Sequence, residues 1–140
     1  MGTQTRPELS EKNPYYISRH RYYELLHFCR QYNDYLAEKA EIYNNCVRPI
    51  LGKEYHGNNI FPNDLTGKWA IKLADVDDKI KLIEQTAIDA DEDLSGYILM
   101  AVTSGLGYDA INARYGIPCS RNTFYDRYRK FFWILNQRRR

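Results

Sequence analysis

Apolar residues recur at intervals of three and four along most of the chain, the period of α-helices that bury one face. The first run follows Ser18, a candidate N-cap, and carries Tyr22, Leu25, Leu26, Cys29, Tyr32, Leu36, Ala40 and Tyr43. Its spacing predicts one amphipathic helix of about 25 residues that ends near Asn44-Asn45, ahead of Pro49. A second run, Trp69, Leu73, Val76, Ile80, Ile83 and Ala87, makes a heptad-like stripe from Lys68 to about Asp89. Asp75, Asp77, Asp78, Lys79, Lys81 and Glu84 occupy its opposite face. The two stripes suit pairing with each other as an antiparallel hairpin, or with a second copy of the chain. Between them the stretch from Cys46 to Gly67 is dense in Pro, Gly and Asn, which predicts a long loop of the kind that is often functional.

Shorter periods follow. Ala90-Asp91-Glu92-Asp93 places acids where a helix dipole favours them, and Leu94, Ile98, Ala101 and Val102 would face inward until Gly105 ends the helix. Tyr108 to Tyr115 reads as a short helix with Ile111 inward. Gly116-Ile117-Pro118-Cys119 turns the chain, and Ser120 caps a last helix whose core side runs through Phe124, Tyr128, Phe131 or Phe132, and Leu135. The expected fold is therefore all-α: an arm at residues 1–13 without periodicity, a helical hairpin at 14–89 with its loop at 46–67, and a tri-helical helix-turn-helix unit at 90–140.

Charge sharpens this division. The whole chain of 140 residues carries a net charge of only +2. From Asn112 onward, however, eight basic residues face one acid, a balance of +7, whereas the preceding residues hold 12 basic and 17 acidic ones, a balance of −5. Such asymmetry points the C-terminal part toward a polyanion. Other chemistries find little support. Cys29, Cys46 and Cys119 are odd in number and widely spaced, with neither a CxxC pair nor a histidine pair nearby, so neither a disulfide framework nor a zinc site is expected. His20, His27 and Cys29 share a helix, but His27 and Cys29 diverge around it, against a metal site. The acidic clusters read as a solvated helix face and a helix start. No phosphate loop, GxSxG or nuclease motif is present, and neither enzyme activity nor a cofactor is expected. No apolar run is long enough for a membrane span, and a cytoplasmic location without membrane attachment is expected.

At Ser104-Gly105-Leu106-Gly107-Tyr108-Asp109-Ala110-Ile111 and Tyr115-Gly116-Ile117 the chain resembles the promoter-reading region of bacterial sigma factors. Asn112 stands where that motif has a small alanine, and the span from Gly116 to Phe124 is longer than the usual turn. The whole layout resembles small Firmicutes prophage proteins related to the ArpU and RinA late transcriptional regulators. The likeness lies in a tyrosine-rich N-terminal segment, Pro14 to Leu25, and an aromatic-arginine helix, Phe124 to Trp133. This resemblance implies a sequence-specific regulator that binds double-stranded DNA through a recognition helix at 120–135, in the major groove.

Position then distributes the roles. Arg121, Asn122 and Tyr125 lie near the start of that helix, within reach of base edges, with Arg129 one turn beyond. Arg127, Lys130 and Arg114 suit phosphates, and Asp126 suits a cytosine amine or a pair with Lys130. A homodimer is expected, because one short reading helix seldom suffices. A second class of function is a phage-encoded inhibitor of the anti-CRISPR type, directed at a host nucleic-acid enzyme through Tyr22 or the 46–67 loop.

Overall fold

The computed structural model describes residues 11–47 and 63–140, and among these residues all regular structure is helical, with no strand. Helix α1 spans Arg19–Arg30, α2 Tyr32–Ile42, α3 Asn63–Ala90, α4 Ser95–Ser104, α5 Tyr108–Tyr115 and α6 Arg121–Arg138; a π-helical turn, Tyr43–Val47, extends α2. The expected arm at 1–13 lies outside the described residues up to position 10, and the centre of the expected loop, 48–62, lies outside them as well.

Three local features differ from the sequence reading. The long first helix is interrupted at Gln31, where its side-chain amide donates to the His27 carbonyl at 3.1 Å. That carbonyl is the acceptor an uninterrupted α-helix would offer to the Gln31 backbone N–H, which turns instead to the Phe28 carbonyl at 3.3 Å. A side chain has thus entered the hydrogen-bond ladder and tightened it. The second difference is at the loop: Tyr43–Val47 and Asn63 to Gly67 are helical, so both of its expected ends belong to helices. The third is the grouping of elements. One compact unit comprises the described residues up to Tyr32 together with Leu82 to Arg140, and the other comprises those from Asn33 to Lys81. The boundary expected at residue 89 or 90 therefore does not separate the units, because α1 packs on α4 and α6.

Within the first unit the core is aromatic. Phe124, Phe131, Leu135, Ile98, Val102 and Ile111 are completely buried, joined by Leu25, Phe132, Ala87 and Ala101. Tyr22 meets Phe132 edge-on with ring centres 4.8 Å apart, and its hydroxyl lies 2.8 Å from that of Tyr128. This hydroxyl pair satisfies two polar groups that burial would otherwise leave without water. Burial raises the pKa of both tyrosines, and most strongly that of Tyr128. Thr86, buried in the middle of an apolar stripe, accepts from Arg138 Nη1 at 3.1 Å. Cys29 is fully buried, and desolvation raises its thiol pKa far above the ordinary value.

The second unit is tied differently. Val76 and Ile80 of α3 are buried as the stripe predicts, with Tyr35 and Ile42 of α2, while Trp69 and Leu73 are only half-buried. Lys39 donates to Asp77 at 2.6 Å, Lys72 lies 3.6 Å from Glu38, and Lys79 sits 5.3 Å from the centre of the Tyr35 ring. These contacts join positions 35 to 39 of α2 to positions 72 to 79 of α3.

Candidate nucleic-acid interface

Helices α4, α5 and α6 pack against one another in succession, and the two connections between them are built from particular hydrogen bonds. Gly105 closes α4 in the left-handed region (φ +82°), donating its N–H to the Ala101 carbonyl at 3.0 Å. Only glycine adopts this conformation without cost. The first residue of α5, Tyr108, is held at both of its ends: its N–H donates to the Tyr125 hydroxyl at 3.0 Å, and its own hydroxyl donates to the Cys119 carbonyl at 2.6 Å. Gly116 then ends α5 with φ +69°.

Asn112 explains how the lengthened turn is supported. Its side-chain oxygen accepts from the Ile117 N–H at 2.8 Å, and its backbone carbonyl accepts from the Gly116 N–H at 2.9 Å. An alanine has no acceptor for the first of these donors. Ile117 is buried beneath the turn, and Pro118 brings no further N–H to satisfy. Ser120 caps α6 as its sequence position predicts, accepting from the Thr123 N–H at 3.2 Å.

The starts of α5 and α6 consequently face a common region. Arg121 reaches Asp109 of α5 at 3.1 Å, and its guanidinium lies 5.7 Å from the centre of the Tyr125 ring. Arg121 and Asn122 are both exposed. The Arg121–Asp109 pair is solvated on both sides, with side chains 52% and 77% exposed, so it holds the arginine loosely and leaves it able to exchange partners.

The remaining candidates separate by environment. Tyr125 is buried and is a support for α5, which corrects its expected place among base-reaching side chains. The physical reason is helical phase: Tyr125 adjoins Phe124 and Tyr128 on the inward side of α6, with ring centres 5.3 and 5.9 Å away. Arg129 is half-buried, and its Nε is enclosed without a hydrogen-bond partner. Arg127 is held by Asp91 at 3.3 Å and by its neighbour Asp126 at 3.4 Å, so it is engaged within the protein rather than available as expected for phosphate, and Asp126 pairs with Arg127 instead of Lys130. Lys130 is half-buried and Arg114 is exposed; neither makes an ion pair among the described residues. Trp133 is half-buried and meets Tyr15 edge-on at 5.9 Å.

Sequence reasoning missed two residues here, Asp109 and Arg30. Arg30 belongs to α1, yet a Cβ placed on Gly105 would lie 2.7 Å from its Cζ and from both terminal nitrogens. A signal for it was present: Arg30 follows Leu26 by one helical turn, at the margin of the stripe that α1 buries.

Among the described residues no group of three or more His, Cys, Asp and Glu side chains is arranged to hold a metal ion, and no helix is long and apolar enough to cross a membrane. Compared with protein-family models, curated proteins and solved structures, the chain matches none.

Proposed function

We propose that this chain is a sequence-specific regulator that binds double-stranded DNA, of the phage or prophage kind its sequence resembles. In this reading α4, α5 and α6 act as a helix-turn-helix, and the first turn of α6 enters the major groove. One observation carries it. Arg121 and Asn122 stand exposed and adjacent directly after the Ser120 cap, on a helix start braced from behind by Tyr108, Asn112 and Tyr125. Arginine matches the two acceptors of guanine, and asparagine matches the donor and acceptor of adenine. Arg114 and Lys130 supply phosphate contacts that orient the helix without specifying sequence. A homodimer places two such helices on successive half-sites. The Lys39–Asp77 and Lys72–Glu38 contacts between α2 and α3 support the accompanying hairpin.

Selection of bound fragments from random duplex DNA tests the reading. A motif should emerge, and Arg121→Ala and Asn122→Ala should each weaken binding to it by about 1–3 kcal/mol while relaxing preference at one position. Absence of any enriched motif, together with no duplex binding at low salt, overturns it. Capture of a host nucleic-acid enzyme by a chain that ignores DNA would instead establish the inhibitor reading.

A further inference from the structure

Arg30 occupies an unusual position for an arginine in a folded core margin. Its Nε is enclosed without a hydrogen-bond partner, and among the described residues its guanidinium makes neither a hydrogen bond nor an ion pair. Its charge is felt by the Tyr22 and Tyr128 hydroxyls and the Cys29 thiol, groups that are neutral at ordinary pH and that burial keeps neutral to higher pH. Among the described residues no carboxylate forms an ion pair with it. Arg30 as a whole is half-buried, with Nε on its enclosed side.

The place to which it points matters. Cζ, Nη1 and Nη2 are equidistant, at 2.7 Å, from the position a Gly105 Cβ would occupy, which lays the guanidinium flat against that glycine. Two residues further on, the Tyr125 hydroxyl lies 3.3 Å from the corresponding position at Gly107 and accepts from Tyr108 N–H. Arg121 adjoins the same Tyr125 ring. Arg30 and the start of α6 thus both border the Gly105–Gly107 turn, Arg30 directly and Arg121 through Tyr125, although 91 positions of sequence separate Arg30 from Arg121. The glycine serves two purposes here: it turns the chain at φ +82°, and it leaves room for the guanidinium.

We propose that Arg30 is a phosphate-binding residue of this interface, gripping the DNA backbone beside the Gly105–Gly107 turn while the first turn of α6 reads bases. A planar guanidinium whose stem is already immobilised loses little freedom on binding, and its two outer nitrogens match the oxygens of one phosphate. A phosphate also supplies the negative charge that Arg30 lacks among the described residues. The contact fixes the register of α6 on the duplex and makes α1 part of the DNA-binding surface. This inference rests on the DNA-binding reading above.

The test is a salt titration of the full chain and of Arg30→Met on a short fluorescein-labelled duplex of mixed sequence. Arg30→Met keeps the stem and removes the charge. It should bind about tenfold more weakly at low salt, with the slope of log affinity against log salt reduced by about 0.9, the share of one phosphate. Arg30→Lys keeps the charge and should keep the slope. If the parent binds and Arg30→Met retains its slope, the inference fails and the DNA reading stands; if the parent does not bind, both fail. Should Arg30→Met not fold, phenylglyoxal labelling of the unaltered chain decides the matter. Arg30 should react when the protein is free and be protected by the duplex, and equal labelling with and without DNA overturns the proposal.

Discussion

The two compact units of this protein differ in how aromatic the packing between their helices is. In the unit containing residues 11–32 and 82–140, α1, α4 and α6 meet through rings and aliphatic side chains, with Phe124, Phe131, Ile98 and Leu135 completely buried and a buried Tyr22–Tyr128 hydroxyl pair between them. Among residues 33–81, the interactions between α2 and α3 include Lys39–Asp77 and Lys72–Glu38, and α3 adds Lys79–Asp75 and Lys81–Asp77 along its own surface. Burial of rings resists salt and mild changes of pH, whereas solvated ion pairs are weak and screened. The exposed Arg121 of α6 thus stands on the unit with the more aromatic core.

The largest effect should come from cutting into that packing. Phe131→Ala removes a wholly buried ring and should cost about 3–5 kcal/mol in denaturant unfolding of the first unit. A loss below about 1 kcal/mol would mean that the aromatic core is not what distinguishes the two units. Next in size is Tyr22→Phe, which leaves the Tyr128 hydroxyl enclosed and unpaired and should cost about 1–3 kcal/mol, while Tyr22→Phe with Tyr128→Phe should recover much of the loss. A double variant no better than the single one would place the cost in packing rather than in the hydroxyl pair.

The same tyrosines set a pH signature. Burial raises the pKa of Tyr22, Tyr128 and Tyr32, and that of Tyr32 is pushed up to about 12, with its hydrogen bond to Glu84 adding to the effect. A raised folded-state pKa favours the neutral form, so the stability contributed is complete below the ordinary tyrosine value of 10.0 and is lost as pH rises through the folded values. The first unit should therefore unfold on the alkaline side before the second, as read by hydrogen exchange or by tyrosinate absorbance. On the acid side the units do not differ in kind. Asp77 is held low by hydrogen bonds from Lys39 and Lys81, and Asp89 by hydrogen bonds from Arg138 and Gln85. Both contributions are present above the ordinary carboxylate value of 3.8 and are lost as pH falls through the lower folded values.

The smallest effect should be a gain. Gly67 lies within α3, and a methyl group there would meet no atom within 4 Å. Gly67→Ala should stabilise the second unit by up to about 1 kcal/mol through helix propensity alone, measured as slower hydrogen exchange along α3. The contrasting Gly105→Ala should destabilise the first unit, because it combines positive φ with a collision against Arg30. These two glycines test whether backbone preference or packing governs each unit.

By itself the sequence determined the all-α class and most of the helix ends. The period of Leu94, Ile98, Ala101 and Val102, the caps at Ser18 and Ser120, and the stops at Gly105 and Gly116 are all local preferences, written within a few residues of where they act. Arg121 and Asn122 were legible as exposed because their place next to a cap follows from the same local grammar. Tertiary structure decided what depends on partners distant in the chain. The turn from Gly116 to Ser120 departs from a familiar spacing, and only the hydrogen bonds from Ile117 to Asn112 and from Tyr108 to Cys119 show how it is satisfied. Sequence position placed Tyr125 among the base-reaching side chains, and only the packed structure shows it buried, with its hydroxyl accepting from the Tyr108 N–H. Arg127 reads as a free cation beside an acid of its own helix, but Asp91, from the segment preceding α4, engages it. Arg30 shows the limit most clearly, since its local sequence places it only at the margin of an amphipathic stripe. An arginine side chain spans about one helical turn, and what it reaches is set by the helix packed beside it; for Arg30 that is Gly105, 75 positions away.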